Sequence, residues 1–497
     1  MRFLFGSDDF VSVRDEVLVL FATETKTIKR GQLKRLDRAL GGALGRLFQS
    51  GEFSGSSGQV ASFVPAPGLR CRRVLVVGLG EEKKLDHDSF RRAVGDLSRY
   101  KGFTQARSVA VHFGEHADAS FYQAAVEGYL LGSFRQLDYR TGESARDDSR
   151  LAGVRFLVHK ASQVPALRRA VERGRIISDG QILARKLAQT PAGDLTPRLY
   201  AAKARRLARQ HRVRCRVLNE KAIARERMGA LLGVARGSDE PPRFIVLEYE
   251  GRSAGKKPVV LVGKGVTFDS GGISLKPGQD MHEMKGDMAG SAVVLATMIT
   301  AARLKLPLHL VGLMPLTENM PSGHATRPGD ILKSRKGKTI EVINTDAEGR
   351  LILADALDYA GRFKPQAVID IATLTGATLY ILGYAGAPIV GNNDALVTRL
   401  ENAASATAER VWRLPIWDDH RDQMKGTIAD LVNSGGRPAG TIAAAAFLEN
   451  FIGDWPWAHI DIAYVDLEPK GRPYVPKGAT GFGVRLLVEM LARWKPL

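Results

Sequence analysis

The sequence predicts an α/β protein of two domains, each with a mostly parallel or mixed sheet flanked by helices, joined by a long helix. The chain has 497 residues, more than one hydrophobic core usually serves. Near-continuous apolar runs such as PVVLVGKG (258–265) and AVIDIATL (367–374) alternate with helical patterns. That alternation is typical of parallel strands covered on both faces. A helical pattern over 168–188 runs without interruption and ends before Pro191.

These patterns divide the chain into three parts. An amino-terminal α/β domain is predicted over 1–165, with strands at 72–80 and 108–113 and a helix at 88–100. A linker helix follows over 166–190. A larger domain over 191–497 has predicted helices at 289–304 and 350–363, and its predicted strands include 308–316, 338–343 and 458–465.

Composition favours a soluble globular protein over a membrane or secreted one. The chain is 44% hydrophobic and 25% charged, as in an ordinary soluble globular protein. No apolar stretch is expected to approach the roughly 20 residues that are needed to span a bilayer. We therefore expect no membrane association. Asp8 and Asp9 interrupt any signal-peptide core. Cys71 and Cys215 are too few for a disulfide framework. We therefore expect a cytoplasmic protein.

The positive charge is concentrated. The net charge is +19, and residues 168–227 hold 17 Lys/Arg against 5 Asp/Glu. Such a surface attracts nucleic acid through a salt-dependent term. It is equally typical of a solvated helix face that keeps a protein soluble. No aromatic residues stand between the arginines to stack on bases. A binding role for this region stays open as an alternative function.

Polar side chains that could bind ions or take part in catalysis follow the strands of the larger domain. They lie in GKGVTFDSGGISLKP (263–277), MHEMKGDMAGSA (281–292) and NTDAEGRL (344–351). Ligands in such sheets gather at the carboxyl ends of the strands. Four carboxylates and three cations are singled out from the three segments: Asp269, Asp287, Asp346, Glu348, Lys264, Lys276 and Arg350.

Four carboxylates repel one another unless cations neutralise them. Their oxygens suit Mg²⁺, Mn²⁺ and Zn²⁺, and a pair of carboxylate-bridged metals is a common hydrolytic centre. In an extended chain Asp346, Glu348 and Arg350 would point to the same side. The alternative for each is structural: a polar turn with a surface ion pair, a helix cap at Asp287, or a solvated Lys276.

The three segments closely resemble the signatures of the leucyl aminopeptidase family, the two-metal cytosolic aminopeptidases. The resemblance continues through LTPRLYAAKA, IADLVNSGGRPAGTIAAAAFLENF and KGATGFGVRLL, and it covers most of 184–487. It is loose over the first 150 residues. It implies that 191–497 is a catalytic metallopeptidase domain. The implied reaction is release of amino-terminal residues, leucine-like preferred, from short peptides by a water that two metals activate.

The resemblance also implies the metal ligands. Asp269 and Glu348 would bridge both ions. Asp287 would hold the tighter site together with Lys264, whose amine must be neutral to coordinate. Asp346 would hold the exchangeable site through its carboxylate and its backbone carbonyl. The ions would be Mn²⁺ or Zn²⁺, two per subunit.

Two further roles follow from the resemblance. Lys276 would polarise the scissile carbonyl and stabilise the oxygen on which charge develops. Arg350 would hold a bicarbonate ion that acts as the general base. The first side-chain pocket would be lined by Met284, Thr373, Gly376 and Ala463.

Two residues near that pocket depart from the family pattern. Tyr464 stands where glycine is usual, and Asp466 stands where a smaller or apolar residue is common. The carboxylate either widens tolerance toward basic side chains or points to solvent. The resemblance further implies a homohexamer, with active sites facing an inner cavity, and some bacterial members bind DNA.

Overall fold

A computed structural model describes residues 1–28, 31–65, 68–114, 118–145, 149–252, 255 and 257–496 of the chain. The chain forms two compact units. The amino-terminal unit comprises Met1–Ser178 and Gly471–Pro476, and the carboxyl-terminal unit comprises the remainder. The border falls inside one long helix, Val164–Gln189. The predicted fold class is therefore confirmed, while the exact domain limits given from the sequence stay a prediction.

The amino-terminal unit contains a six-stranded sheet. Its strands are β1 Arg2–Gly6, β2 Val17–Thr23, β3 Val60–Phe63, β4 Arg73–Gly80, β5 Ser108–His112 and β6 Gly153–Leu157. The spatial order is β1-β6-β5-β2-β4-β3, and all neighbours are parallel except β3 and β4. The α-helices of this part are α1 Gln32–Ala39, α2 Ala43–Ser50, α3 His87–Leu97, α4 Lys101–Thr104, α5 Ala119–Ser133 and the long α6 Val164–Gln189.

Local sequence explains several of these elements. β4 is buried at seven of its eight positions, which accounts for its unbroken apolar run. α3 begins at Asp86, whose carboxylate accepts the Ser89 N–H at 2.8 Å, while the Ser89 hydroxyl accepts the Asp86 N–H. This reciprocal pair satisfies donors that a helix start leaves free. The strands predicted at 72–80 and 108–113 and the helix at 88–100 agree within a few residues.

The carboxyl-terminal unit is built on a nine-stranded mixed sheet. Its strands are β7 Arg214–Leu218, β8 Arg243–Glu250, β9 Val259–Gly263, β10 Gly265–Asp269, β11 His309–Asn319, β14 Ala367–Ala372, β15 Ala387–Gly391, β16 Val411–Arg413 and β18 Trp457–Asp461. Two small sheets accompany it: β12 Ile331–Lys333, β13 Thr339–Glu341 and β17 Leu431–Val432, and the pair β19 Leu467–Glu468 and β20 Gly478–Ala479.

The main sheet is parallel at its centre, with antiparallel pairs on both sides of the centre and a parallel pair, β15 and β16, at one edge. Its order is β16-β15-β18-β14-β9-β11-β8-β7, with β10 also paired to β11. The neighbours β18, β14, β9 and β11 run parallel, whereas β15, β8 and β7 pair in the antiparallel sense. The helices of this unit are α7 Pro197–Gln210, α8 Glu220–Arg225, α9 Gly229–Ala235, α10 Ala289–Leu304, α11 Glu348–Ala360, α12 Thr378–Ile381, α13 Asp394–Thr407, α14 Asp418–Asp422, α15 Gly440–Glu449 and α16 Val484–Ala492.

Two expectations about the third motif segment are wrong. The strand expected at 338–343 is only the short β13 in a separate three-stranded sheet. α11 begins at Glu348, two residues before the expected start. Glu348 and Arg350 therefore lie in the first turn of a helix, and the alternation argument for an extended chain does not apply to them.

One helical stretch, Met281–Leu304, is long and apolar enough to cross a membrane by length and composition alone. The expectation that no apolar stretch approaches this length is therefore wrong. Of its most apolar window, 78% is buried inside the protein. The stretch includes α10, whose side chains are buried from Ala289 to Ala301. Its apolar character therefore reflects packing in the core of this unit.

Candidate metal centre

The side chains singled out in the sequence meet near the carboxyl ends of the central parallel strands. Lys264 lies between β9 and β10, and Asp269 ends β10. Asp287 comes after a 3₁₀ helix, Met281–Gly286, and just before α10. Asp346 lies in the turn before α11, and Glu348 is the first residue of that helix. Parallel strands and the helices that follow them bring such residues to one edge of a sheet.

Three carboxylates form a compact acid cluster. One oxygen from each of Asp269, Asp346 and Glu348 lies within 4.8 Å of the other two. Asp269 and Glu348 are almost fully buried, at 2% and 1% exposure. Like charges at this spacing repel strongly when water is excluded. The arrangement is stable only if protons or cations compensate it.

Several oxygens of these carboxylates lack a hydrogen bond. Glu348 Oε2 is buried without a hydrogen-bond partner among the described residues. Glu348 Oε1, Asp287 Oδ2 and Asp346 Oδ1 have no hydrogen bond of good geometry, but each faces a lysine ammonium group. Buried polar atoms are normally satisfied, and exceptions call for an explanation such as an ion. Carboxylate oxygens that face one another are the ligands that divalent metal ions prefer. The residues present therefore fit a divalent metal centre.

Lys264 connects the cluster to a fourth carboxylate. Its Nζ lies 2.9 Å from Asp287 Oδ2 and 2.9 Å from Glu348 Oε1. It also donates to the Thr373 carbonyl at 2.7 Å. Burial acts to lower the pKa of this amine, but the neighbouring carboxylates outweigh burial and raise the pKa above its usual value. In the protein alone Lys264 is thus a cation, and coordination to a metal requires the loss of that proton.

Lys276 lies on the other side of the cluster. Its Nζ is 2.8 Å from Asp269 Oδ2 and 2.5 Å from Asp346 Oδ1. Burial lowers its pKa and the carboxylates raise it, with a net rise. Its side chain is 22% exposed. The alternative of a solvated surface lysine therefore does not describe it.

Burial dominates the pKa values of the carboxylates. The pKa of Asp287 is raised well above its usual value, first by burial, against the opposing charge of Lys264. The pKa values of Glu348 and Asp346 are also raised by burial, and Asp269 adds to the rise in both. These shifts show that the protein alone does not fully compensate the negative charge.

Asp287 does not cap α10, so the structural alternative for this residue is also wrong. The cap residue of α10 is Met288, without a side-chain cap bond. Asp287 Oδ1 instead accepts the Thr373 hydroxyl at 2.7 Å. Its other oxygen faces Lys264.

Arg350 lies in the first turn of α11 and is 8% exposed. Its Nη1 donates to the Asn433 carbonyl at 2.9 Å, while its buried Nε has no partner among the described residues. Burial lowers the pKa of this guanidinium to about 10, although the negative charges of Glu348 and Asp461 act to raise it. No carboxylate of the described chain forms an ion pair with it within 4.0 Å, so neither acidic neighbour in NTDAEGRL neutralises it.

Two glycines allow the segments to approach. A Cβ at Gly349 would lie 2.6 Å from Lys264 Cε and 2.7 Å from its Nζ. Gly271 has a φ of +88°, and a Cβ there would lie 2.8 Å from Asp346 Oδ1. Any larger residue at these positions would displace a charged group of the cluster. Glycine here serves close approach and, at Gly271, a left-handed backbone.

Two of the four residues assigned to a side-chain pocket contact Asp287, and the other two contact Tyr464 and Thr378. Thr373 contacts Asp287 as described, and the Met284 carbonyl accepts the Asp287 N–H at 3.2 Å. A Cβ at Gly376 would lie 3.8 Å from the Tyr464 hydroxyl. The Ala463 carbonyl accepts the Thr378 hydroxyl at 3.1 Å.

Sequence reasoning missed two amides that hold the site together. Asn319, at the end of β11, donates to Asp269 Oδ1 at 2.8 Å and to the Thr345 carbonyl at 3.0 Å. Asn433 accepts from the Ile343 N–H at 2.8 Å, and its carbonyl accepts from Arg350. Asn319 follows an apolar strand directly, which is the signal that identified the carboxylates.

Comparison with known proteins identifies the family. The sequence profile described as the cytosol aminopeptidase family, catalytic domain, matches residues 182–488, and the profile of that family's N-terminal domain matches residues 17–143. The chain belongs to the cytosol aminopeptidase family. It is similar to a probable cytosol aminopeptidase of Syntrophotalea carbinolica, with 46% identity over 99% of both chains. The chain is accordingly a hydrolase that acts as an aminopeptidase.

Solved structures agree with this assignment. A mutant of tomato leucine aminopeptidase has a TM-score of 0.89 and 32% identity, covering 99% of this chain and 97% of its own. The bottromycin maturation enzyme BotP in complex with Mn has a TM-score of 0.83 and 36% identity, covering 96% of this chain and 99% of its own. The cytosol aminopeptidase family is metal-dependent, and the acid cluster is this chain's candidate metal centre.

Proposed function

We propose that this aminopeptidase works with two divalent ions held by the acid cluster. The observation that carries the proposal is the set of three carboxylates whose oxygens lie within 4.8 Å of one another, with the buried Glu348 Oε2 left without a hydrogen bond. As the family resemblance implies, Asp269 and Glu348 would be shared by both ions. Asp287 with Lys264 would complete one site and Asp346 the other. Bound divalent ions would lower the pKa of a water and polarise a carbonyl oxygen.

Lys276 would supply the electrostatic part of the reaction. Its ammonium is fixed by two carboxylates and is excluded from most solvent. It would donate to the scissile carbonyl oxygen as negative charge develops there. A preorganised donor of this kind needs no reorganisation during the reaction.

Arg350 would hold an anion that accepts the proton of the attacking water. Its free Nε and its lack of an ion pair in the described chain support this role, and bicarbonate is the proposed anion. The first turn of α11 adds favourable amide dipoles for negative charge. The proton would pass to that anion and not to Asp346 or Glu348.

The substrate would be a short peptide with a free amino terminus, and the side-chain pocket would favour leucine-like residues. Mn²⁺ or Zn²⁺ would serve as the ions. The BotP structure with Mn supports the first of these, and the carboxylate-rich donor set accommodates both.

Metal-loaded protein and two matched substrates test this function. Protein loaded with Mn²⁺ or Zn²⁺ should hydrolyse leucine p-nitroanilide and leave N-acetyl-leucine p-nitroanilide intact. A chelator should abolish the activity, and the metal should restore it. Protein that carries two ions yet leaves the free-amine substrate intact would contradict the proposal. Equal cleavage of the blocked substrate would contradict it as well.

A hexameric, cytoplasmic enzyme completes the proposal. Large apolar side chains of the carboxyl-terminal unit are exposed, including Trp412 at 67%, Trp417 at 61% and Ile428 at 67%. Exposed apolar surface commonly marks association. Sedimentation should give a mass six times that of one chain, and a monomer at micromolar concentration would exclude the assembly.

A second function, nucleic-acid binding, is favoured by one observation. Arg205, Arg206 and Arg209 of α7 are exposed. None of them forms an ion pair with a carboxylate of the described chain. Their charge is therefore available to phosphates, as the basic region 168–227 suggested.

Charge reversal tests this second function. Duplex DNA should bind at low salt, and replacing the three arginines by glutamate should weaken binding at least about tenfold and flatten its salt dependence. The matched control reverses three exposed cations of the amino-terminal unit: Arg38, Arg46 and Lys101. Absence of binding by the native protein at low salt would remove the function, and equal losses in both variants would remove α7 as the site.

A further inference from the structure

Beside the metal cluster, the turn that follows β18 meets the segment that ends in Asp287. Asp466, in that turn, places Oδ2 3.8 Å from where a Cβ would stand at Gly286. Gly286 is the residue before Asp287. The turn is anchored by the Asp466 N–H, which donates to the Ile462 carbonyl at 3.0 Å. A carboxylate outside the acid cluster thus borders the segment that carries a proposed metal ligand.

No cation of the described residues lies within 4.0 Å of the Asp466 carboxylate. Lys264 and Lys276, the cations of the neighbouring cluster, are paired with other carboxylates. Asp466 itself forms no ion pair in the part of the chain that the structure describes. Backbone N–H groups of Asp466 and Tyr464 donate to its carboxyl. The residue is partly exposed, and the nearest atoms to a Cβ at Gly286 are 3.8 Å away, which leaves space beside the carboxylate; we call this space the recess.

The surroundings of Asp466 disfavour the charged form of its carboxylate when no cation lies beside it. Burial raises the pKa of Asp466 to about 7, and the negative charge of Asp461 acts in the same direction. Lys264 opposes the rise. A group in this situation gains free energy when a cation is placed next to it.

Tyr464 lies close enough to Asp466 for the two side chains to interact electrostatically. Its φ of +68° lies in the left-handed region, which is uncommon for a bulky residue. Such strain persists where the surrounding structure holds it, commonly at ligand sites. Its ring packs edge-on against Tyr384, with centroids 5.9 Å apart, and its hydroxyl faces Gly376. Aromatic faces also attract alkylammonium and guanidinium groups.

We propose that Asp466, with the ring of Tyr464 beside it, makes this recess select a basic first residue, lysine or arginine, over an uncharged residue of the same length. The proposal rests on the proposed aminopeptidase function, because it takes the recess beside Asp287 as the place of the substrate's first side chain. The ammonium or guanidinium group would pair with the Asp466 carboxylate. An uncharged side chain would exclude water from that carboxylate and leave it unpaired, which a site penalises strongly.

Isosteric substrate pairs measure this selectivity directly. Lysine and 2-aminoheptanoic acid p-nitroanilides have side chains of the same length and differ chiefly in the terminal ammonium. Arginine and citrulline p-nitroanilides differ in the charge of nearly isosteric groups. The ratio of kcat/KM within each pair should favour the charged member by at least about tenfold in the native enzyme, a differential of about 1.4 kcal/mol. Asp466→Asn, which keeps the shape, should reduce both ratios at least about tenfold.

The matched control is Asp454→Asn. Asp454 is exposed and precedes β18, whereas Asp466 follows it. The control should keep both ratios, which excludes an effect of net charge. Native ratios near one, or ratios that Asp466→Asn leaves in place, would overturn the proposal. If that variant does not fold, the arginine–citrulline ratio of the native enzyme decides. Failure to cleave any of these anilides would instead overturn the proposed function.

Discussion

Replacing Lys276 with methionine should separate chemistry from metal binding. The change keeps an unbranched side chain that is one atom shorter, and it removes the ammonium. That ammonium lies 2.8 Å from Asp269 Oδ2 and 2.5 Å from Asp346 Oδ1 in a site where its side chain is only 22% exposed. A buried, preorganised donor to a developing oxyanion contributes about 2.7–4 kcal/mol, equal to roughly 10²–10³ in kcat. The metal-loaded variant should lose activity by that factor.

Two measurements on the same sample make the result decisive. Atomic emission should find two ions per chain in both native and variant protein, because the carboxylate ligands remain. The kcat for leucine p-nitroanilide at saturating Mn²⁺ should then be lower by the factor given. Lys285→Met is the matched control: its side chain is 27% exposed and its Nζ lies 3.7 Å from Glu283, outside the cluster.

The control variant should keep native kcat within about threefold, since surface ion pairs contribute about 0–1 kcal/mol. A Lys276→Met enzyme that holds two ions and turns over within about threefold of the native rate would refute the electrostatic role. Loss of the ions from that variant would refute the separation of chemistry from binding.

Two further changes test the packing beneath the site. Gly349→Ala should abolish divalent-ion binding in equilibrium dialysis while the protein stays folded by circular dichroism, because a Cβ there lies 2.6 Å from Lys264 Cε; retained stoichiometry would contradict this. Asp370→Asn should lower the free energy of unfolding in urea by about 3–5 kcal/mol, because it breaks a buried pair with His459 Nδ1 at 2.5 Å. Asp370 outweighs burial and raises the pKa of His459. That stabilisation is therefore complete below the unfolded pKa of about 6.5 and is lost as pH rises through the raised folded value. The loss in Asp370→Asn should be larger at pH 6 than at pH 9, and equal losses would contradict the charged pair.

The central sheet was predictable because its strands are buried on both faces. β9 and β14 are buried at every position, so their sequences read as unbroken apolar runs. α10 matches its prediction to the residue. The start of α11 was missed because its cap residue, Ala347, makes no side-chain cap bond. Nothing local marks that helix start, and the extended arrangement assumed for NTDAEGRL was the consequence.

Within the site, the charged residues could be predicted from the sequence, but the residues that hold them in position could not. Asp269 and Glu348 stood out because carboxylates rarely follow apolar strands without a reason. Asn433 supports Arg350 across 83 residues of sequence, and one sequence carries no signal for so distant a contact. The left-handed backbone at Tyr464 is equally invisible, since positive φ is expected at glycine and asparagine and not at tyrosine.

Anomalous diffraction from crystals grown with Mn²⁺ or Zn²⁺ tests the two-metal centre most directly. Two peaks should appear about 3.5–4 Å apart, each within bonding distance of an oxygen of Asp269 and of Glu348. A single peak, or two ions that share neither carboxylate, would contradict the proposed centre.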